Sequence, residues 1–169
     1  MKNKKALSAV IETILLILIS ITAIAIISGV VIPFIIGQME NTKCLETAGK
    51  VTINSEYGYA CYYSSGSNRN VKITISRGDV QIEGIKIKIG SNARSKTFEI
   101  ENLEVEELNG VTMLGGGNIV LPGVGEDVTY VLNVASLEGV ATYAEIYPIS
   151  NEKMCDRTDD ITLEGCGVI

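Results

Sequence analysis

The stretch "KKALSAVIETILLILISITAIAIIS", opening at Lys4, constrains this chain more than anything else in it. From Leu7 to Met39 the only charged residue is Glu12, and Thr13 to Met39 is an uncharged run of 27 residues. A helix needs ~20 such residues to span a bilayer. The run is apolar on every side rather than on one face, so all its sides must meet lipid or protein. Lys2, Lys4 and Lys5 precede it, and the first positive charge after it is Lys43. That asymmetry leaves the N-terminus cytoplasmic and sends the rest of the chain outside. Pro33, with Gly29 and Gly37 nearby, predicts a kink or loosening near the outer end.

Glu12 is the anomaly. An ionised residue at the centre of a membrane helix costs roughly 2.5–3.5 kcal/mol on insertion scales, less near the edge, and it asks for a partner. A permanent single-pass anchor explains the apolar run but not this carboxylate. A secretory signal cut after Ala23-Ile24-Ala25 would expose Ile26 and leave "IISGVVIPFIIGQ" as the start of a soluble protein, an awkward beginning.

The order Lys4-Lys5-Ala6, then Leu7-Ser8, then a long hydrophobic helix, resembles the class III signal of archaeal type IV pilins and archaellins. The resemblance implies a prepilin peptidase that cuts between Ala6 and Leu7 and retains the helix. Residues 1–6 are then a cleaved leader whose charges are Lys2, Lys4 and Lys5, residues 7–40 the filament-core helix, and residues 41–169 an extracellular head. Two features depart from the pattern: Ala6 stands where glycine is commoner, and Glu12 would be the sixth mature residue where bacterial pilins carry the glutamate fifth. The implied partners are other copies in a helical filament, the peptidase, a pilus assembly platform with its ATPase, and the cytoplasmic membrane before assembly. Physical chemistry agrees on one point. Three lysines cannot enter a bundle of apolar helices without a large desolvation cost. Removing them also exposes the Leu7 amine, which Glu12 can neutralise on its own helix or a neighbour's. Head-to-tail contacts that do not close then give a filament.

The 169 residues carry a net charge of −6; without the three leader lysines the balance is 11 basic against 20 acidic, or −9. Such a body repels nucleic acid and anionic headgroups. There is no histidine, so neither a Ser-His-Asp nor a Cys-His site can exist, and the chain reads as no enzyme, with no cofactor and no metal. Cys44, Cys61, Cys155 and Cys166 all follow the apolar run and read as two disulfides in an oxidising exterior. Three pairings are possible; the local ones, Cys44–Cys61 and Cys155–Cys166, are favoured, each worth ~3 kcal/mol by loop closure.

Beyond Asn41 the sequence alternates. "NVKITIS" sets Val71, Ile73 and Ile75 on one face, and "DVTYVLNV" does the same with Val128, Tyr130, Leu132 and Val134. "DVQIEGIKIKIG" alternates through Val80 and Ile82, slips parity at Gly84, where a β-bulge is expected, and resumes at Ile85, Ile87 and Ile89. "KTFEIEN" and "YGYACYY" read as further strands, and "VATYAEIYPI" as the last one, ended or edged by Pro148. About six to eight strands joined by polar turns predict an antiparallel β-sandwich behind the helix, an α+β fold. "RGD" at Arg77–Asp79 reads as a hairpin turn, and the glycine runs at Leu114–Asn118 and Pro122–Asp127 as loops, since neither precedes a helix or carries a phosphate-binding lysine. Glu99, Glu101, Glu104, Glu106 and Glu107, set against Phe98, Ile100, Leu103 and Val105, read as a solvated strand face; they and "DRTDD" at Asp156–Asp160 offer at most weak calcium binding.

Overall fold

The structure, a computed structural model, describes residues 3–56, 60–65, 68–102 and 104–166. The chain forms two compact units, Met1–Thr42 and Lys43–Ile169.

The first unit is helical. α1 covers Asn3–Ile26, a π-helical turn Ile27–Val31, and α2 Ile32–Thr47, whose last turn belongs to the second unit. Proline has no N–H, and inside a helix its ring meets the carbonyl four residues back, which for Pro33 is Gly29. The helix answers by widening: Ile32 N–H bonds to Ile27 O, five residues back. The loosening expected there is thus a π-turn. Ser20 Oγ donates to Leu16 O at 2.8 Å and Thr22 Oγ1 to Ile19 O at 2.9 Å, so both hydroxyls are satisfied within the helix. From Ile11 to Ile36 the large apolar side chains are all exposed, between 39% and 64%.

The head has twelve strands among its described residues: β1 (Val51–Ile53), β2 (Cys61–Ser65), β3 (Asn68–Arg77), β4 (Gly84–Gly90), β5 (Ser95–Ile100), β6 (Glu107–Leu108), β7 (Val111–Met113), β8 (Asp127–Asn133), β9 (Tyr143–Ser150), β10 (Lys153–Met154), β11 (Asp159–Thr162) and β12 (Glu164–Gly165). One sheet runs β12-β2-β3-β8-β7-β6 with β1 also on β3; the other runs β10-β9-β4-β5 with β11 also on β9. Alternation places Val71, Ile73, Ile75, Tyr130 and Leu132 from the first sheet in one core with Ile85, Ile87, Ile89, Phe98, Ile100 and Ile146 from the second. Two sheets sharing one core make the head sandwich-like. Ile73 lies opposite Tyr130, and Ile87 between Phe98 and Ile146. Each such side chain, fully buried, contributes about 1.5–3 kcal/mol.

Several local expectations are corrected. Among the described residues the ladders are antiparallel with one exception, β12 on β2, which is parallel. Gly84 opens β4 in unbroken register with Ile149, and no bulge occurs. The parity slip instead marks where a connector carrying Val80 and Ile82 becomes strand. "RGD" is not a hairpin: it starts the crossing from β3 in one sheet to β4 in the other. Arg77 holds that crossing, with Nε donating to Val80 O at 2.8 Å and Nη1 to Pro122 O at 2.9 Å. Nor is β9 the last strand or an edge, since it pairs with β4 on one side and with β10 and β11 on the other. Pro148 sits where those two short partners part, and its carbonyl accepts Cys155 N–H at 2.8 Å. Its missing N–H therefore faces the one gap in the ladder.

Candidate functional site

On the helix, Lys4, Lys5, Ala6 and Leu7 lie on the first turns of α1, while Lys2 lies outside the described residues. Glu12 is exposed on α1, and none of the described side chains bonds to it. By length and composition, the helix from Ile11 is long and apolar enough to cross a membrane, and none of its apolar window is buried. Such a surface is stable only against lipid or against other apolar protein.

At the head, the last turn of α2 is fixed three times. Cys44 is bonded to Cys155, Lys43 Nζ donates to Asn151 Oδ1 at 3.0 Å, and Thr47 is fully buried with Oγ1 donating to Cys44 O at 2.7 Å. Asn151 and Glu152 turn the β9–β10 hairpin at φ 52° and 59°, the doubly left-handed geometry of a tight hairpin. Glu83 Oε2 accepts the Glu152 N–H at 2.7 Å. The second bridge is Cys61–Cys166.

Both bridges overturn the local pairing favoured from sequence. β12 runs beside β2 with Glu164 opposite Cys61, and Cys166 N donates to Tyr62 O at 2.8 Å. The sulfur that reaches Cys61 therefore comes from the far end of the chain. Cα separations of 5.1 Å and 4.9 Å suit both bonds.

On the outer face of the second sheet, Glu145 accepts from Lys88 Nζ at 2.7 Å, Tyr147 Oη at 3.1 Å and Arg157 Nη1 at 3.1 Å. The Lys88 hydrogen bond leads in holding the Glu145 carboxyl below its ordinary value, against partial desolvation. The same bond raises Lys88. Burial first, then the carboxylate, raises Tyr147.

Three of the acidic residues weighed for calcium, Glu99, Asp159 and Asp160, have partners within the head. Glu99 pairs with Lys86 at 3.3 Å and Asp160 with Arg157 at 3.5 Å. Asp159 Oδ2 accepts Ile53 N–H at 2.8 Å, which ties β11 to β1. Glu101, Glu104, Glu106 and Glu107 are exposed; Leu103 lies outside the described residues; and Val105 is 41% exposed, because the strand ends at Ile100. Among the described residues, no group of three or more acidic or cysteine side chains is arranged to hold a metal ion. The glycine runs form turns, with φ of 95°, 84° and 94° at Gly115, Gly116 and Gly117.

The pattern of alternation missed two anchoring residues. Lys43 and Asp159 sit in polar stretches with no periodicity, and only their distant partners give them a role. No family model, no curated protein and no solved structure matches the chain.

Proposed function

We propose that this chain is a pilin-like structural subunit: inserted in the cytoplasmic membrane with its N-terminus inside, trimmed by a prepilin peptidase between Ala6 and Leu7, and assembled through its helix into an extracellular filament for adhesion or motility. The observation that carries the reading is the exposed apolar helix with a carboxylate, Glu12, that has no partner among the described residues. Lipid can cover its aliphatic sides before assembly, and other copies can cover them afterwards. Glu12 then neutralises the Leu7 amine that trimming creates. A head closed by two disulfides suits the oxidising exterior to which the positive-inside rule assigns it.

N-terminal sequencing of the mature protein tests this directly. A start at Leu7 on surface filaments is the expected result. An intact Met1 or Lys2 on solitary, lipid-embedded chains overturns it in favour of a permanently anchored surface domain, and a start at Ile26 indicates ordinary secretion.

A further inference from the structure

The two bridges close loops of 111 and 105 residues, and they interleave: each joins one cysteine at the entrance of the head to one near its end. In the unfolded chain the short alternatives are closer. Cys44 and Cys61 are ~17 residues apart and Cys155 and Cys166 ~11, so loop-closure entropy favours the local bridges by roughly 15- to 30-fold each.

Nothing local opposes them. Cys61 meets Cys166 only once β12 lies along β2, and Cys44 meets Cys155 only once β10 has folded back on β9. Both arrangements wait for the end of the chain. Export of the head from its helix-proximal end adds to the bias, because Cys44 and Cys61 reach the oxidising side before Cys155 and Cys166 have crossed.

We propose that this chain is a substrate of a thiol–disulfide exchange catalyst on the exterior face: local bridges form first and are then converted to the interleaved pair. The order of export assumes the exterior placement of the head proposed above. Each local bridge forms by loss of two protons and two electrons to a disulfide oxidant, which leaves as two thiols. A catalyst thiolate then attacks Cys166 Sγ, forming a mixed disulfide and releasing Cys155 as a thiolate. Cys155 displaces Cys61 from Cys44 and closes Cys44–Cys155. Cys61 displaces the catalyst from Cys166 and closes Cys61–Cys166. The catalyst thiolate returns unchanged, and the exchange has no net redox. Folding makes the sequence one-way: Cys61 and Cys155 are only 7% and 4% exposed once the strands are in place, so each native bond has a shielded sulfur.

The test uses the full chain, reduced and unfolded, diluted into detergent micelles. One arm oxidises with diamide alone, quenches with acid and alkylating agent, and maps the bridges over time. The other gives the diamide product reduced glutathione and a protein disulfide isomerase. Cys44–Cys61 and Cys155–Cys166 should dominate early in the first arm, and the second should convert them to Cys44–Cys155 and Cys61–Cys166. Native bridges in the majority from the first diamide time point overturn the proposal, as does a local product that thiol cannot convert. Two variants give an independent rate. Cys155→Ser/Cys166→Ser can form only Cys44–Cys61, and Cys44→Ser/Cys155→Ser only Cys61–Cys166. The first should oxidise roughly 15-fold faster; equal rates overturn the proposal. None of these readings involves cleavage at Leu7, so their failure leaves the filament assignment standing, and the reverse holds too.

Discussion

Replacing Cys44 and Cys155 together by serine should leave a folded, weakened head, and the size of the loss follows from how the bridges interleave. With Cys61–Cys166 intact, the covalent route from Cys44 to Cys155 runs forward to Cys61, across the bridge and back from Cys166. That route is roughly 30 residues, and closing it is worth ~3.6 kcal/mol in the chain-entropy account. Without the other bridge the same pair would close about 100 residues, worth ~4.7 kcal/mol. Loss of either bridge alone therefore costs ~3.6 kcal/mol, and loss of both ~8 kcal/mol, against a typical domain stability of about 5–15 kcal/mol. Urea unfolding of the full chain in micelles, followed by tyrosine signals because tryptophan is absent, measures the difference. A thiol titration accompanies it. Cys44→Ser/Cys155→Ser should show no free thiol and stay folded, whereas Cys44→Ser/Cys61→Ser loses both native bridges and should be largely unfolded, its Cys155 and Cys166 able to close only their local bridge. Under the local pairing the first variant shows two thiols and the second keeps a native bridge. Two thiols in the first variant, and a second variant at least as stable as the first, would refute the reasoning.

Glu145→Gln should cost about 1–2 kcal/mol at pH 7, low in the range for charged hydrogen bonds because Lys88 and Arg157 stay partly solvated. The folded carboxyl lies below its ordinary value, so its contribution is complete above the unfolded pKa of about 4.3 and disappears as pH falls through the folded value. Urea midpoints of the two proteins should converge as the pH falls below the folded value, and an unchanged gap would assign the loss to packing instead. Tyr130→Phe removes a buried hydroxyl that donates to Val120 O at 2.6 Å, and should cost about 1–2 kcal/mol with faster hydrogen exchange in the 114–121 loop; wild-type stability would mean that this carbonyl finds water. Glu12→Gln should lower filament yield while insertion and trimming proceed, read by pelleting assembled material and by N-terminal sequencing.

The sandwich core was legible because alternation is local. Val71, Ile73 and Ile75, or Ile85, Ile87 and Ile89, announce an inward face without reference to any partner, and all six are fully buried. Strands of two or three residues were not legible, because β6, β10 and β12 are too short to show a period and exist only through the neighbours they pair with. Gly84 and Pro148 misled for a related reason. Each was read by its ordinary local meaning, a bulge and a strand end. Each is set instead by topology: the start of a strand after an inter-sheet crossing, and a gap between two partners of one strand. The end of α2 is the same case. The stretch "ENTKCLET" has no apolar stripe, yet its last turn is held by Cys155, Asn151 and the burial of Thr47.

The two halves of the candidate site divide along that line. The apolar helix itself could be read directly, since an unbroken apolar run needs no partner to be recognised, and Glu12 stands out against it. The ties within the head could not, since each joins residues about 100 positions apart. What a single copy leaves unsatisfied then separates the two functional readings. Lipid covers aliphatic side chains as well as another protein does, so burial alone favours neither anchor nor filament. Lipid tails offer a carboxylate no positive charge. In the proposed filament, a neighbouring chain that begins at Leu7 offers both an apolar flank and an amine. Insertion should therefore tolerate the loss of Glu12's charge, and assembly should not.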